Sequence, residues 1–251
     1  MTSMESRKYK SLGLYTLLFL MLCVHVPILG VIGFTNSFTE EIYPLFSLLD
    51  AYFLFQLIFN PVLLSSLVKK VVEIEEKNNM FQLQEMLGIE PSTLLMRKWS
   101  WLSLRLFILQ LIEWALILHM AARSSHFHLS QVASVRVAVA FCSQWLIASA
   151  FVALFLILDT RSKSPYFTLF FSMGGALSGI LSMLTSRILT LINPFAWNSS
   201  LLSISYVKGR EGFDRVLNPT PWLSLVVSLA GLLICLFMIK KHTRIRSDKT
   251  I

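Results

Sequence analysis

Four ionisable side chains that interrupt or border long apolar stretches could do electrostatic or acid–base chemistry inside a nonpolar environment. They are Asp50, Glu113, Arg136 and Arg187. A charged side chain at the centre of a hydrophobic span costs about 2.5–3.5 kcal/mol on insertion scales, so we expect each to face the protein interior and to have a partner. One interpretation is two ion pairs that lock helices together. The other is an acidic lining of a substrate path, above all Glu113; the two are compatible.

The sequence contains partial matches to two catalytic motifs but no complete one. Two Glu-Glu pairs, at 40–41 and 75–76, begin like the E-E-x-x-x-R motif of a membrane protease family, but the position for Arg holds Leu or Met. The stretch Ala176–Gly179 lacks the first glycine of a G-x-S-G motif, and residues 222–239 contain no His to act as its base. An intramembrane protease is therefore the weaker alternative.

The His and Cys residues of the sequence give little support for metal or redox chemistry. His126 and His128 could contact a metal, but two His without further ligands nearby are more typical of an exposed loop. The three cysteines, Cys23, Cys142 and Cys235, fall inside apolar stretches and form neither a disulfide framework nor a metal set. We expect no metal and no cofactor bound by this chain.

The apolar stretches themselves indicate a polytopic membrane protein. Of the 251 residues, 55% are hydrophobic and 14% charged, whereas about 25% of the residues in soluble domains are charged. A helix needs about 20 apolar residues to cross about 30 Å of hydrocarbon, where its backbone groups must be satisfied internally. The sequence predicts an all-α fold, one domain over residues 1–251, with six spans at about 12–34, 45–68, 99–120, 134–158, 165–192 and 222–239.

The distribution of Lys and Arg predicts the orientation. These residues concentrate before span one, between spans two and three, after span four and after span six. The positive-inside rule then places both termini and the loop between spans two and three in the cytoplasm. The same asymmetry accounts for the net charge of +8, so no nucleic-acid partner is required.

The loop between spans two and three predicts a short amphipathic helix. Asn79 and Gln82 have the spacing of a capping box, Leu83 and Leu87 fall on one face, and Gly88 is a natural helix stop. Pro91 suits the first turn of the next helix. Two interpretations remain open: a helix that lies on lipid headgroups, or a coupling helix that docks in a groove on a partner.

Three stretches around this loop carry a family resemblance: Asn60–Leu64, Val72–Leu83 and Leu94–Trp99. They resemble the membrane subunits of bacterial type-2 ABC exporters, and most of all the lantibiotic-immunity permease group, in which span two ends in a glutamate-rich stretch. The resemblance in length and span count extends over the whole chain, whereas the motifs cover only about residues 60–99.

The resemblance implies a permease in the bacterial plasma membrane that pairs with a second, homologous permease and with two copies of a separate ATPase. ATP and Mg²⁺ would bind to the ATPase, in keeping with the absence of a G-x-x-x-x-G-K-[ST] phosphate loop from this sequence. The complex would expel a membrane-active antimicrobial peptide, which gives bacteriocin self-immunity. It also implies that the ATPase is contacted by Glu73, Glu76, Phe81, Leu83 and Leu87. A membrane scaffold or receptor without transport is the alternative.

The segment Asn193–Pro221 is long, and its first half is apolar and aromatic. Such a segment is unfavourable in free water. We therefore expect it to enter the outer membrane interface as short re-entrant helices whose ends are covered by protein.

The orientation gives a first testable prediction. Reporters fused after Ile251 and after Asn198 should lie on opposite sides of the membrane, because an odd number of spans separates the two positions. Paired alkaline phosphatase and fluorescent-protein fusions measure this directly. Equal signals from the same reporter at both positions would contradict the six-span model.

Overall fold

A computed structural model describes residues 14–33, 43–77, 83–84, 86–123, 131–162, 164, 166–208 and 213–241. Within them the chain is mostly helical and contains one short antiparallel hairpin. The elements are α1 (Leu14–Gly33), α2 (Pro44–Lys77), α3 (Pro91–Ala121), α4 (Gln131–Arg161), α5 (Phe167–Thr185), α6 (Arg187–Ile192), a 3₁₀ helix (Pro194–Leu201), β1 (Ile204–Lys208), β2 (Phe213–Leu217) and α7 (Trp222–Lys240).

Five helices of the described chain, α2 to α5 and α7, are long and apolar enough to cross a membrane. Helix α1 contains a shorter apolar stretch, Leu14–Pro27. These properties are compatible with a multi-pass membrane protein. They support five of the six predicted spans by length and composition, and the sixth, at residues 12–34, stays a prediction.

Helix ends near the loop between α2 and α3 follow from local sequence. Helix α3 begins at Pro91, as predicted. Gly88 has a positive φ of 77°, and the backbone N–H of Ile89 donates to the carbonyl of Gln84 at 3.0 Å, which is the bond that ends a helix in a Schellman motif. The predicted stop at Gly88 is thus confirmed. Helix α2 runs on to Lys77 rather than ending at Val68.

The predicted fifth span, 165–192, consists of two helices rather than one. The break is at Ser186, whose backbone is extended. Its side-chain oxygen accepts from the backbone N–H groups of Ile188 (3.1 Å) and Leu189 (3.4 Å) and so starts α6. A Ser that satisfies free N–H groups favours a new helix start over continuation of the old helix.

Helix α4 forms the centre of the bundle and packs against α2, α3 and α7, while α2 also packs against α1 and α5. Buried residues make up 72% of the most apolar window of α4 but only 22% of those of α5 and α7. The central helices are therefore covered by protein, and α5 and α7 present apolar side chains outward. Here the "hairpin end" is the end of the bundle that carries β1 and β2, and the "loop end" is the end where α2 stops and α3 starts.

The 3₁₀ helix inserts its side chains among the helices of the bundle. Phe195 packs on Gly175 and Gly179 of α5, and Trp197 packs on Gly231 of α7. Gly175 and Gly179 have the G-x-x-x-G spacing that is typical of closely packed membrane helices, but here they receive the 3₁₀ helix rather than a membrane-spanning neighbour. Small residues allow this close approach.

The second half of the Asn193–Pro221 segment is not helical. Strands β1 and β2 pair antiparallel, with Ile204 opposite Leu217 and Lys208 opposite Phe213. The expectation of short re-entrant helices for Asn193–Pro221 therefore applies at most to the 3₁₀ helix, because α6 ends before Asn193. The β-branched and aromatic residues of the two strands favour strand over helix here.

The contact at Gly179 gives a matched pair of predictions. A Cβ at Gly179 would lie 2.6 Å from the carbonyl oxygen of Phe195, which cannot move as a side chain can, whereas a Cβ at Gly174 would meet nothing within 4 Å. We expect Gly179→Ala to destabilise the protein by about 1–3 kcal/mol through overpacking. Gly174→Ala is the control and should be neutral or slightly stabilising. Equal melting temperatures of the two detergent-solubilised variants would contradict this packing.

Candidate functional site

Glu113 is the centre of a buried polar cluster that joins α1, α2 and α3. Its side chain is almost fully buried, and both carboxylate oxygens have partners. Oε1 lies 2.7 Å from Nδ1 of His25 on α1, and Oε2 accepts a hydrogen bond from the hydroxyl of Tyr52 on α2. Glu113 thus holds two other helices at one point in the half of the bundle nearer the hairpin end.

The cluster continues into α4 through Gln144. The amide nitrogen of Gln144 donates to the Tyr52 hydroxyl oxygen at 2.5 Å, and its amide oxygen accepts from the indole N–H of Trp114 at 2.6 Å. An amide has donor and acceptor groups, so Gln144 can serve both partners at once. His25, Glu113, Tyr52, Gln144 and Trp114 therefore form one chain of hydrogen bonds across four helices.

Aromatic rings pack around this chain of hydrogen bonds. Tyr52 packs edge-on against His25, with ring centroids 6.1 Å apart, and Trp114 packs edge-on against Phe141 at 5.4 Å. Phe53 fills the space between Tyr52 and Trp114. In so apolar a setting the hydrogen bonds of Glu113 are strong, and losing one of them is costly.

Two polar atoms at the edge of the cluster have no hydrogen-bond partner among the described residues: Nε2 of His25 and Oε1 of Gln56. The Gln56 amide nitrogen lies 3.3 Å from Nδ1 of His25. The contact between His25 and Glu113 gives the buried carboxylate a hydrogen-bond partner, which offsets part of the cost of burying it.

Asp50 and Arg136 tie the hairpin to the bundle. The Asp50 carboxylate accepts from the backbone N–H groups of Ser203 (2.6 Å) and Ile204 (2.8 Å). Arg136 donates to the Ser203 hydroxyl at 3.3 Å and to the carbonyl of Asn218. All four contacted groups lie at the base of the hairpin. Asp50 therefore attaches the hairpin to α2, and Arg136 attaches it to α4.

The two predicted ion pairs fare differently. Glu113 contacts His25 and Tyr52, so pairing with Arg136 or Arg187 is wrong for this carboxylate. Asp50 and Arg136 do attract each other electrostatically, as an ion pair between these two residues requires. Arg136 also donates to the carbonyls of Leu202 and Asn218, which flank the two strands. Arg187 is exposed at the start of α6. Glu113 also does not line an open path in this conformation, because its carboxylate is enclosed.

A second buried charge pair lies at the loop end. Nζ of Lys98 on α3 is 2.8 Å from Oε1 of Glu75 on α2, and both side chains are only 3% exposed. Beyond it, apolar side chains of the loop are exposed: Leu83 by 50%, Met86 by 85% and Leu87 by 71%. Of the other residues predicted for the partner contact, Glu76 is exposed and Glu73 half-buried, and Phe81 lies outside the described residues.

Sequence reasoning missed the neutral members of the cluster. His25, Tyr52 and Gln144 carry no fixed charge at neutral pH, so they did not stand out beside Asp50 and Glu113. A signal was present, because each interrupts an apolar run in which a hydrogen-bonding group needs a partner. Their assembly with Glu113 could not be read from spacing, since His25 and Glu113 are separated by 88 positions.

No family model, curated protein or solved structure matches this chain. Metal binding also finds no support within the described residues, where no three His, Cys, Asp or Glu side chains are grouped to hold an ion. His126 and His128 lie outside that part of the chain.

The cluster gives a prediction with an internal control. Glu113→Gln keeps the side-chain volume but leaves His25 without a carboxylate, so the melting temperature in detergent should fall. Adding His25→Gln should restore part of the loss, with a coupling free energy of about 0.5–3 kcal/mol, because the two residues are in direct contact. Adding Arg187→Gln instead should show no coupling.

Melting temperatures of the three single and two double variants, read by size exclusion after heating, measure both couplings. Rescue by Arg187→Gln and none by His25→Gln would show that the carboxylate of Glu113 pairs with the distant cation.

Proposed function

We propose that this chain is the permease subunit of a bacterial ATP-driven exporter of the type-2 ABC class. In this proposal it spans the plasma membrane six times with both termini in the cytoplasm. It pairs with a second permease, and two copies of a separate ATPase, which bind ATP and Mg²⁺, supply the energy. The cargo is a membrane-active antimicrobial peptide, so the exporter protects the cell that produces it.

The proposed contact with the ATPase is supported by one observation: α2 and α3 are longer than a helix needs to be to cross a membrane. Helix α2 has 34 residues and α3 has 31, which corresponds to about 51 and 46 Å at 1.5 Å per residue, against about 30 Å of hydrocarbon. Extensions of this length can reach a soluble partner. The buried Glu75–Lys98 pair joins the two extensions, so they can move as one unit.

The exposed tip of these extensions supports docking to a protein. Leu83, Met86 and Leu87 present an apolar knob, and the helix stop at Gly88 gives it a fixed end. An apolar knob on a short helix is suited to a hydrophobic groove on a partner. Glu73 and Glu76 lie near the end of α2, ahead of these apolar residues in the chain. They can contribute charged contacts at the edge of such a groove.

The polar cluster has a place in the same proposal. In the conformation described, Glu113 is enclosed by His25 and Tyr52, so a cationic peptide could reach the carboxylate only after these helices separate. Export requires the bundle to rearrange between two states. We infer that opening of this cluster exposes negative charge to the peptide, and that Asp50, Arg136 and Arg187 stay near the outer end of the path.

The coupling contact is tested by charging the knob. Replacing both Leu83 and Leu87 with Glu should abolish copurification with the ATPase encoded beside this gene and should reduce ATP turnover at least tenfold, because two charges cannot enter an apolar groove. The control adds the same two charges at Ser92 and Thr93, near the start of α3 and off the knob. It should copurify normally.

Unchanged copurification and ATP turnover with the Leu83→Glu, Leu87→Glu variant would overturn the coupling assignment. Loss of membrane association instead, with no effect on ATP turnover, would favour a helix that lies on lipid headgroups. Absence of any ATPase gene beside this one would favour a scaffold or receptor over an exporter.

A further inference from the structure

A cavity of about 420 Å³ lies at the hairpin end, between the α5–α6 break, the 3₁₀ helix, β1 and the start of α7, and its lining is partly polar and partly apolar. Arg187 gives it a positive charge. Hydroxyl groups line it as well, but those of Thr190, Ser199, Ser200 and Ser224 donate to backbone carbonyls. The guanidinium of Arg187 and the hydroxyl of Thr220 are therefore donors that an anion with several oxygen atoms can use.

Arg187 has no hydrogen-bond or ion-pair partner within the described residues, unlike Arg136. Arg136 donates to the hairpin base, and Arg105 lies over the rings of Tyr15 and Trp101, at 5.7 and 5.2 Å. The backbone N–H groups at the start of α6 are bonded to Ser186 and need no anion. The positive charge of Arg187 is thus available to a ligand.

The position of Arg187 relative to the membrane narrows the class of ligand. Helix α5 has 19 residues, or about 28 Å, so Arg187, just after its end, lies where hydrocarbon gives way to headgroups. Exposed apolar side chains flank it on α5 and α6, with Leu184, Ile188 and Ile192 each at least 70% exposed. Acyl chains can cover these side chains while a phosphate reaches the cavity.

We propose that this cavity binds the phosphate group of a phospholipid from the leaflet at the hairpin end. Arg187 and the Thr220 hydroxyl donate to the phosphate oxygens, and the acyl chains lie along the exposed faces of α5 and α6. A planar guanidinium matches the geometry of phosphate oxygens, and it can form two parallel hydrogen bonds. The site goes beyond the transport proposal and does not depend on it.

The test uses the full-length protein in detergent and native mass spectrometry, with dioleoyl-phosphatidylglycerol as the probe. Dioleoylglycerol has the same chains without phosphate and is the matched lipid control. We expect Arg187→Gln to weaken phosphatidylglycerol binding at least about fivefold, the effect of losing one cation near a lipid surface. Arg187→Lys should retain part of the binding, and Lys240→Gln, at an exposed position on the opposite end of α7, should retain all of it.

A second variant tests the cavity independently of the charge. Thr220→Phe keeps Arg187 but fills space in the cavity, and it should also weaken phosphatidylglycerol binding. Equal binding of phosphatidylglycerol to wild type, Arg187→Gln and Thr220→Phe would overturn the site. Equal affinity of the wild type for dioleoylglycerol would show that only acyl chains are recognised. Displacement of phosphatidylglycerol by equimolar inorganic phosphate would assign the cavity to free phosphate instead.

Discussion

The bundle depends on one constraint: a buried carboxylate in an apolar helix must find donors, and only other helices can supply them. Glu113 accepts from α1 and α2, and Gln144 extends the hydrogen bonds to α4. Burying a charge costs about 2.5–3.5 kcal/mol at a helix centre, so the arrangement that satisfies Glu113 is favoured over slipped or rotated packings that do not. Polar partners here select one packing, rather than adding much net stability.

The same constraint acts at both ends of the bundle with different groups. At the hairpin end, Asp50 accepts hydrogen bonds from backbone N–H groups at the start of β1, and Arg136 donates to the backbone carbonyl of Asn218. At the loop end, Lys98 and Glu75 satisfy each other. Because α2 contributes Asp50, Tyr52 and Glu75, a single helix takes part in all three levels. Polar contacts at these three positions therefore fix how α2 sits against its neighbours.

Much of the fold could be predicted from the sequence, because length and hydropathy alone decide which segments are long and apolar enough to be spans. Local chemistry also identified the start at Pro91 and the stop at Gly88. The break at Ser186 was missed although its cause is local, namely the Ser side chain that caps α6. The β-hairpin was missed because its base is fixed by Asp50 and Arg136, which are distant in sequence. Glu113 was singled out by its charge, but its partner was not: pairing with His25 is a property of packed helices and leaves no mark in local spacing.

Helices α2 and α3 connect the polar cluster with the loop end. Tyr52 and Glu75 are about 35 Å apart along α2, and Glu113 and Lys98 are about 22 Å apart along α3. Pro61 interrupts the backbone hydrogen bonds of α2 between Tyr52 and Glu75, whereas α3 has no proline after its first turn, so α3 is the stiffer connection. The hydrogen bonds of Glu113 are directional, and they resist tilting of α3 more than the surrounding apolar contacts do. A rigid tilt of α3 from the loop end would therefore strain the hydrogen bonds of Glu113 before the apolar contacts around them.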